Sequence, residues 1–349
     1  MDRDISIKAG ASPSDERNRP TLKTIAFMTG LGVTTVSRAL KDAPEIGVET
    51  RKRVQLVARQ IGYRPNRAGV RLRTGKTNVI SLVLDTREQI GGFVSDMIYG
   101  ISEQLAQTPY HLIVTPHSRN HDPMEPIRYL VETGSADGII ISQTQPDDPR
   151  VRYMIERQFP FATHGRTTAN GEHPYHDFDN RAFANIAVRR LAERGRKRLA
   201  LLAPPSSLTY QHHMRSGFLD GLEEIQGSEV PLTSVTNEHT IDEIRLATIE
   251  LMNRRSRPDG IVSGAGGATF ALVAGIEAAG LRLGKDIDIV SKQSFRLLPL
   301  FRPELHVVQE DVRLAGSELA KAVTGSIAKA PLNTLQSLVV PTEVISPRT

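Results

Sequence analysis

Thr34, Thr35, Ser37 and Arg38 stand together in one octet of this 349-residue chain, VTTVSRAL at 33–40. An arginine can bond a guanine edge through two parallel hydrogen bonds. A threonine can donate to a phosphate or a base and offer its methyl to thymine. The chemistry this grouping supports is the reading of nucleic acid. Other reactive groupings are weaker. The ten histidines include His173, His176, His212 and His213, but no H-x-x-x-H pair is expected on a helix and there is no cysteine. No metal is therefore expected, and imidazoles in a polar cleft serve as hydrogen-bond partners. The lack of cysteine also excludes disulfides, iron–sulfur clusters and cysteine nucleophiles. Gly75, Lys76 and Thr77 imitate the end of a P-loop, yet the position of its first glycine holds Val70. Gly264 and Gly266 open a dinucleotide-type turn whose third glycine position holds Thr269. Asp177 and Asp179 are a carboxylate pair, but D-F-D-N before a helix reads more simply as a cap and a chain crossing. No serine nucleophile elbow occurs. Neither an enzyme nor a bound cofactor is expected.

Charge and periodicity indicate what positions the octet. Residues 20–76 hold twelve Lys/Arg against three Asp/Glu, a net +9, whereas 77–349 hold twenty-eight against thirty-two. A basic module on a slightly acidic body is the footprint of polyanion binding, with a solvated basic face as the plain alternative. Residues 1–19 mix Ser, Pro, Gly, Asp and Arg without apolar periodicity and read as a disordered leader. Thr21 caps a first helix with Leu22, Ile25, Ala26 and Phe27 or Met28 inside, and Gly30 ends it. The second helix has an inner stripe of Val33, Val36, Ala39 and Leu40 and turns Thr34, Thr35, Ser37, Arg38 and Lys41 outward. A third, from about Glu49 to Ile61, buries Val54, Val57, Ala58 and Ile61. Two short helices joined by a tight glycine turn form a helix-turn-helix, here in a three-helix core. The next stretch, 63–77, is rich in arginine with only Val70 and Leu72 as large aliphatics, so it is expected to fold only on contact with DNA.

The run from Thr21 to Leu84 resembles the start of a lactose-repressor (LacI/GalR) family regulator. The resemblance is carried by VTTVSRAL, by ETRKRV in the third helix, and by IGYRPN and LRTGKTN, all in order. Carried over position by position, it implies that Val33, Thr34 and Arg38 read base edges. It gives Thr21, Thr35, Ser37, Tyr63 and Asn66 contacts to the DNA backbone. Residues 67–73, beginning at Arg67, match the hinge helix, and Leu72 matches the leucine that wedges into the minor groove. Three positions depart from the pattern: Gly32 replaces a usual Ser, Lys41 a frequent Asn, and the hinge reads RAGVRL. Gly69 costs that helix roughly 1 kcal/mol relative to Ala, so it depends more on bound DNA.

The body alternates strands and helices. Strands are predicted at 79–84, 110–115, 138–142, 159–164, 198–203, 260–263 and 287–291. Helices are predicted near 94–107, 123–133, 149–158, 181–194, 212–225, 241–254, 268–280 and 312–325. Such βα repeats give parallel sheets with a ligand site at the strands' carboxyl ends. The resemblance continues more weakly over 79–345, through ADGIIIS, DFDNRA, RSGFLDGL and RPDGIVS. It implies an α/β core of the periplasmic-binding-protein type with two lobes, joined to the all-α head. Lobe 1 would be about 78–178 and 308–330, and lobe 2 about 179–307 and 331–349, with crossings near Asp177, Val307 and Ala330. For the effector it implies Phe93 and Val94 after the first strand, His164 and Arg166 at the fourth, Tyr210, Gln211 and His213 on a loop, and Gln293. Gln293 stands where many members carry an Asp, and an amide still bonds hydroxyls bidentately. A neutral sugar or glycoside is the leading effector, with a purine or amino-acid-derived one as competitor.

The expected domains are thus a leader (1–19), a DNA-binding domain (20–66), a hinge and linker (67–77) and an effector-binding and dimerisation core (78–349). The expected protein is a cytoplasmic, homodimeric repressor on a pseudo-palindromic double-stranded DNA operator, without membrane association. A sugar receptor without DNA binding would lack the basic head. A dinucleotide-dependent enzyme would be stabilised by nucleotide.

Overall fold

A computed structural model describes residues 20–63, 75–85, 92–117, 121–168, 172–294 and 296–345. The expected leader and most of the hinge lie outside the described residues. The chain divides into two units, Met1–Thr77 and Asn78–Thr349.

In the first unit, α1 (Leu22–Thr29) begins at a capping box: Thr21 Oγ1 accepts from the Thr24 amide, and Thr24 Oγ1 from the Thr21 amide. It ends at Gly30, whose φ of 69° lies in the left-handed region where glycine carries no Cβ penalty. α2 (Val33–Ala39) and α3 (Val48–Gln60) complete the unit. Ile25, Ala26, Val36, Ala39, Val54 and Ala58 form the core, with Val57 and Ile61 packed against it. Phe27 and Met28 do not join them, being 90% and 53% exposed. The 3.6-residue period running from Leu22 through Ile25 and Ala26 reaches the core side next at Thr29, which is buried with Oγ1 donating to the Ile25 carbonyl at 2.7 Å. Val33 also leaves the expected inner stripe, because the first residue of α2 faces solvent.

The second unit holds two parallel sheets. The first has the order β11-β5-β4-β3-β1-β2, from β1 (Val79–Asp85), β2 (His111–His117), β3 (Gly138–Ile141), β4 (Phe161–His164), β5 (Tyr175–Phe178) and β11 (Gln336–Val339). The second runs β10-β9-β8-β6-β7, from β6 (Arg198–Leu202), β7 (Ser228–Glu229), β8 (Gly260–Ser263), β9 (Asp288–Gln293) and β10 (His306–Gln309). Helices α4 (Phe93–Leu105), α5 (Glu125–Glu132), α6 (Pro149–Glu156) and α12 (Val312–Ile327) belong with the first sheet. α7 (Asn180–Glu193), α8 (Thr209–Glu224), α9 (Ile241–Met252), α10 (Gly266–Ala278) and the short α11 (Leu298–Phe301) belong with the second. Most strands are uninterrupted buried runs, as sheets covered on both faces require. No helix among the described residues is long and apolar enough to cross a membrane.

The chain passes between lobes after β5 and again after β10. The third passage is not near Ala330: residues 336–339 pair in parallel with 175–178, so β11 extends the first sheet. The chain crosses only beyond Val339, and Ile345 then bridges Val307. The backbone of 336–339 finds its partners on the open edge of β5, which keeps this segment in lobe 1. β5, β7, β10 and β11 were not anticipated. They are only two to four residues long; β7 is wholly polar and the other three mix polar with apolar side chains.

α4 and α12 pack at backbone contact. A methyl on Gly100 would overlap the Arg313 carbonyl, and one on Gly316 the Met97 carbonyl. Gly100→Ala must push the helices apart in a close-packed core, at about 1–3 kcal/mol. Its thermal midpoint should fall by several degrees, and an unchanged midpoint would contradict this packing.

Candidate functional site

α2 presents the residues of the octet in two ways. Val33, Thr34 and Arg38 are exposed, while Thr35 and Ser37 are half-buried. Arg38 Nη1 lies 3.7 Å from Glu45 Oε1, both side chains being more than half exposed. A surface pair of that kind is worth little, so the guanidinium is readily exchanged onto another acceptor. Gly32 supplies no side-chain cap to α2. Thr21 Oγ1 is already used in its capping box. Tyr63 is half-buried against the three-helix core, its amide donating to the Ala58 carbonyl at 2.8 Å. Asn66, Arg67 and Leu72 lie outside the described residues.

Between the two lobes of the second unit is a cavity of about 220 Å³. Phe93, His164, Tyr210 and Gln293 line it, as does the small run 264–268 at the start of α10. Val94, Arg166, Gln211 and His213 are not among its lining residues. Val94 packs against the lobe 1 core. Arg166 is drawn back by Asp177, with Nε 2.6 Å from Oδ2. Tyr210, Gln211 and His213 lie at the start of α8 and not on a loop, Gln211 and His213 half-buried, and burial followed by the charge of Arg166 lowers the His213 pKa.

The strand ends set the geometry. His164, closing β4, meets Phe93 edge-on at 5.5 Å and stacks on His176 at 6.3 Å. Its Nε2 lies 3.5 Å from Glu310 Oε1. Glu310 follows β10 at the second crossing and pairs with Lys292 of β9, Oε2 to Nζ at 2.9 Å. Lys292 also donates to Asn180 Oδ1 at 3.0 Å, its Nζ 5.4 Å from the ring centroids of Phe178 and Tyr210. Lys292 and nearby His164 hold Glu310 well below the usual carboxylate range against the opposing effect of burial. Asp179 caps α7, accepting from the Arg181 and Ala182 amides. Across the cavity mouth, Gln143 Nε2 donates to Glu238 Oε1 at 3.3 Å, and the Thr209 amide to the Thr144 carbonyl at 2.9 Å.

Lys292, Glu310, Asn180, Asn237 and Glu238 line the cavity and escaped the sequence reading. For Lys292 a signal existed, its place beside Gln293. Glu310 becomes visible only once β10 is known. Among the described residues no group of three or more His, Asp or Glu is arranged to hold a metal ion.

His176 is 4% exposed, and burial, with the nearby His164 second, lowers its pKa to about 4. Its folded pKa lies below the ordinary value near 6.5, so the unfolded chain binds more protons between these limits. The stability it contributes is complete above pH 6.5 and lost as pH falls toward 4, roughly 2–3 kcal/mol at most. Melting followed over that window should show the midpoint falling with pH, less steeply in His176→Asn. Equal slopes would contradict the burial argument.

Comparison with known proteins places this geometry. Residues 21–66 match the family described as bacterial regulatory proteins, lacI family. Residues 77–344 match the periplasmic binding proteins and sugar binding domain of LacI family. The chain is 31% identical over 318 residues to the HTH-type transcriptional regulator AglR of Rhizobium meliloti (strain 1021), covering 88% of this chain and 87% of AglR. It is 36% identical over 245 residues to the HTH-type transcriptional regulator RafR of Escherichia coli, covering 70% and 72%. In fold it is similar to the lac repressor dimer bound to operator and the anti-inducer ONPF, with a TM-score of 0.81 at 19% identity over 95% of this chain and 99% of that one. The CelR–cellobiose complex gives 0.67 at 23% identity, over 94% and 98%. The chain belongs to the LacI family of DNA-binding transcriptional regulators.

Proposed function

We propose that the protein is a homodimeric repressor that reads a pseudo-palindromic double-stranded operator and senses a small neutral carbohydrate, an oligosaccharide or glycoside. Residues 20–66 read DNA, 67–77 form the hinge, and 78–349 bind effector and dimerise. Val33, Thr34 and Arg38 address base edges. Thr21, Thr35, Ser37, Tyr63 and Asn66 hold the DNA backbone, Arg67 belongs to the DNA-binding hinge, and Leu72 enters the minor groove.

The charge balance of the cleft carries the ligand class. Its Lys292 is matched by Glu310, and its Asp177 by Arg166. Glu238 adds a further acceptor. What remains toward the cavity is largely neutral: Thr144, His164, Asn180, Asn237, Gln293 and Ser294, with the rings of Phe93 and Tyr210. Amides, hydroxyls and imidazoles suit hydroxyl groups, and aromatic faces suit the C–H side of a sugar ring. That CelR was solved with cellobiose supports this reading. Of the cleft residues expected from the resemblance, we keep Phe93, His164, Tyr210 and Gln293 at the ligand. Arg166 acts through Asp177, and Val94, Gln211 and His213 support the walls. Effector binding resets the angle between lobes and so the spacing of the paired hinges.

Fluorescence anisotropy with the protein's own upstream intergenic DNA tests the reading. Specific affinity should fall by about 1–3 kcal/mol in Arg38→Ala and drop steeply with salt. One neutral sugar from a panel should shift it, release marking an inducer and tightening a corepressor. Equal affinity of wild type and Arg38→Ala would contradict the assignment of α2, and a shift produced only by charged ligands would contradict the effector class.

A further inference from the structure

Gln293 is 2% exposed, lines the cleft cavity, and its buried Oε1 has no hydrogen-bond partner among the described residues. Either end of a glutamine amide can face a cavity, so its neighbours decide which one does. Here the deciding neighbour is Gln309. β9 and β10 run parallel with Gln309 opposite Gln293, which sets the two side chains beside each other. Gln309 Nε2 donates to the Ser294 carbonyl at 3.1 Å and the Glu310 carbonyl at 3.0 Å. With both of its protons engaged, its Oε1 is left to accept from Gln293 Nε2 at 3.2 Å. Reversing Gln309 would aim an oxygen at two carbonyl oxygens. Reversing Gln293 alone would set two amide oxygens against each other. Each reversal forfeits hydrogen bonds in a buried site, so the Gln293 amide is held in one orientation.

We propose that Gln309 is a positioning residue that makes this corner of the cleft accept but not donate, so that the effector must bring a hydroxyl to Gln293 Oε1. The identity of that donor rests on the carbohydrate reading above, whereas the orientation of the amide rests only on the three hydrogen bonds of Gln309. An anion, an ether or a fluorine at this position would meet lone pairs with lone pairs. The first turn of α10, which has no side-chain cap at Ala265, lines the same cavity, and its first amides have no partner within the helix. The two walls together suit a group that both gives and takes a hydrogen bond, as a hydroxyl does and a carboxylate does not.

The amide can be read without ligand. In full-length protein labelled with ¹⁵N-glutamine, the Gln293 side-chain signals are assigned by their loss in Gln293→Leu. Their exchange with solvent should speed up on the order of 10-fold or more in Gln309→Met, as expected when a buried hydrogen bond is removed. Equal exchange in wild type and Gln309→Met overturns the proposal. Calorimetric titration then reads selectivity, with methyl glucopyranosides, methyl galactopyranosides and cellobiose as probes, each beside its single-site deoxyfluoro congeners. For a sugar that binds, one congener should be weaker on the order of 10- to 100-fold in wild type. In Gln309→Met that ratio should shrink to a few-fold, because the released amide can turn its NH₂ toward fluorine. A ratio retained in full overturns the positioning role, since mere structural damage would weaken both ligands alike. If no probe binds while the exchange difference is present, the carbohydrate reading fails and the orientation of Gln293 stands.

Discussion

A lysine and a glutamate held nearly out of reach of water organise the cleft. Lys292 and Glu310 are 11% and 8% exposed in their side chains, and each ion costs several kcal/mol to bury unless it is fully partnered. The partners come from every part of the structure that meets there: β9, the crossing after β10, Asn180 at the start of α7 and His164 at the end of β4. A change in the angle between lobes must either carry this network along or disturb it. The same pairing balances these two charges inside the cavity, whose remaining lining is largely amides, hydroxyls and rings.

The lobes around that network are closely packed bodies joined by the chain crossings. Glycines bring α4 and α12 to backbone contact in the first lobe, and Gly217 does the same for α8 against the Arg181 carbonyl in the second. Interiors packed this closely move as bodies rather than deform. Contacts that span the cavity mouth among the described residues include the polar pairs Gln143 to Glu238 and Thr209 to Thr144. A ligand that replaces or reinforces them acts on a movable joint between rigid parts. In the proposed function, effector binding at this joint would reach the DNA-reading head.

Much of this was legible in the sequence, for reasons that also mark where it stopped. The three-helix head showed its 3.6-residue stripe through Ile25, Val36, Val54 and Ala58, and helices such as α7 and α9 carried both cap and period. Phe27 was misplaced because an aromatic reads as core although its angle on α1 faces solvent. β5, with the sequence YHDF, was missed because its polar residues are buried by partners far along the chain: His176 bonds Ser337, and Asp177 bonds Arg166. Missing β11 then misplaced the third crossing. In the cleft, Phe93, His164, Tyr210 and Gln293, which the family resemblance singles out, line the cavity. Glu310 and Gln309 depend on β10 lying beside β9, a fact of topology that no local pattern carries.

In the proposed function the cleft and the DNA-reading head share one equilibrium. It is tested most directly by titrating the effector identified from the sugar panel into the protein by calorimetry, with and without saturating operator DNA. Because coupling free energy is reciprocal, operator must change effector affinity by the same factor by which effector changes operator affinity. Two matching factors well above one are expected. An effector affinity that operator leaves unchanged would contradict the account.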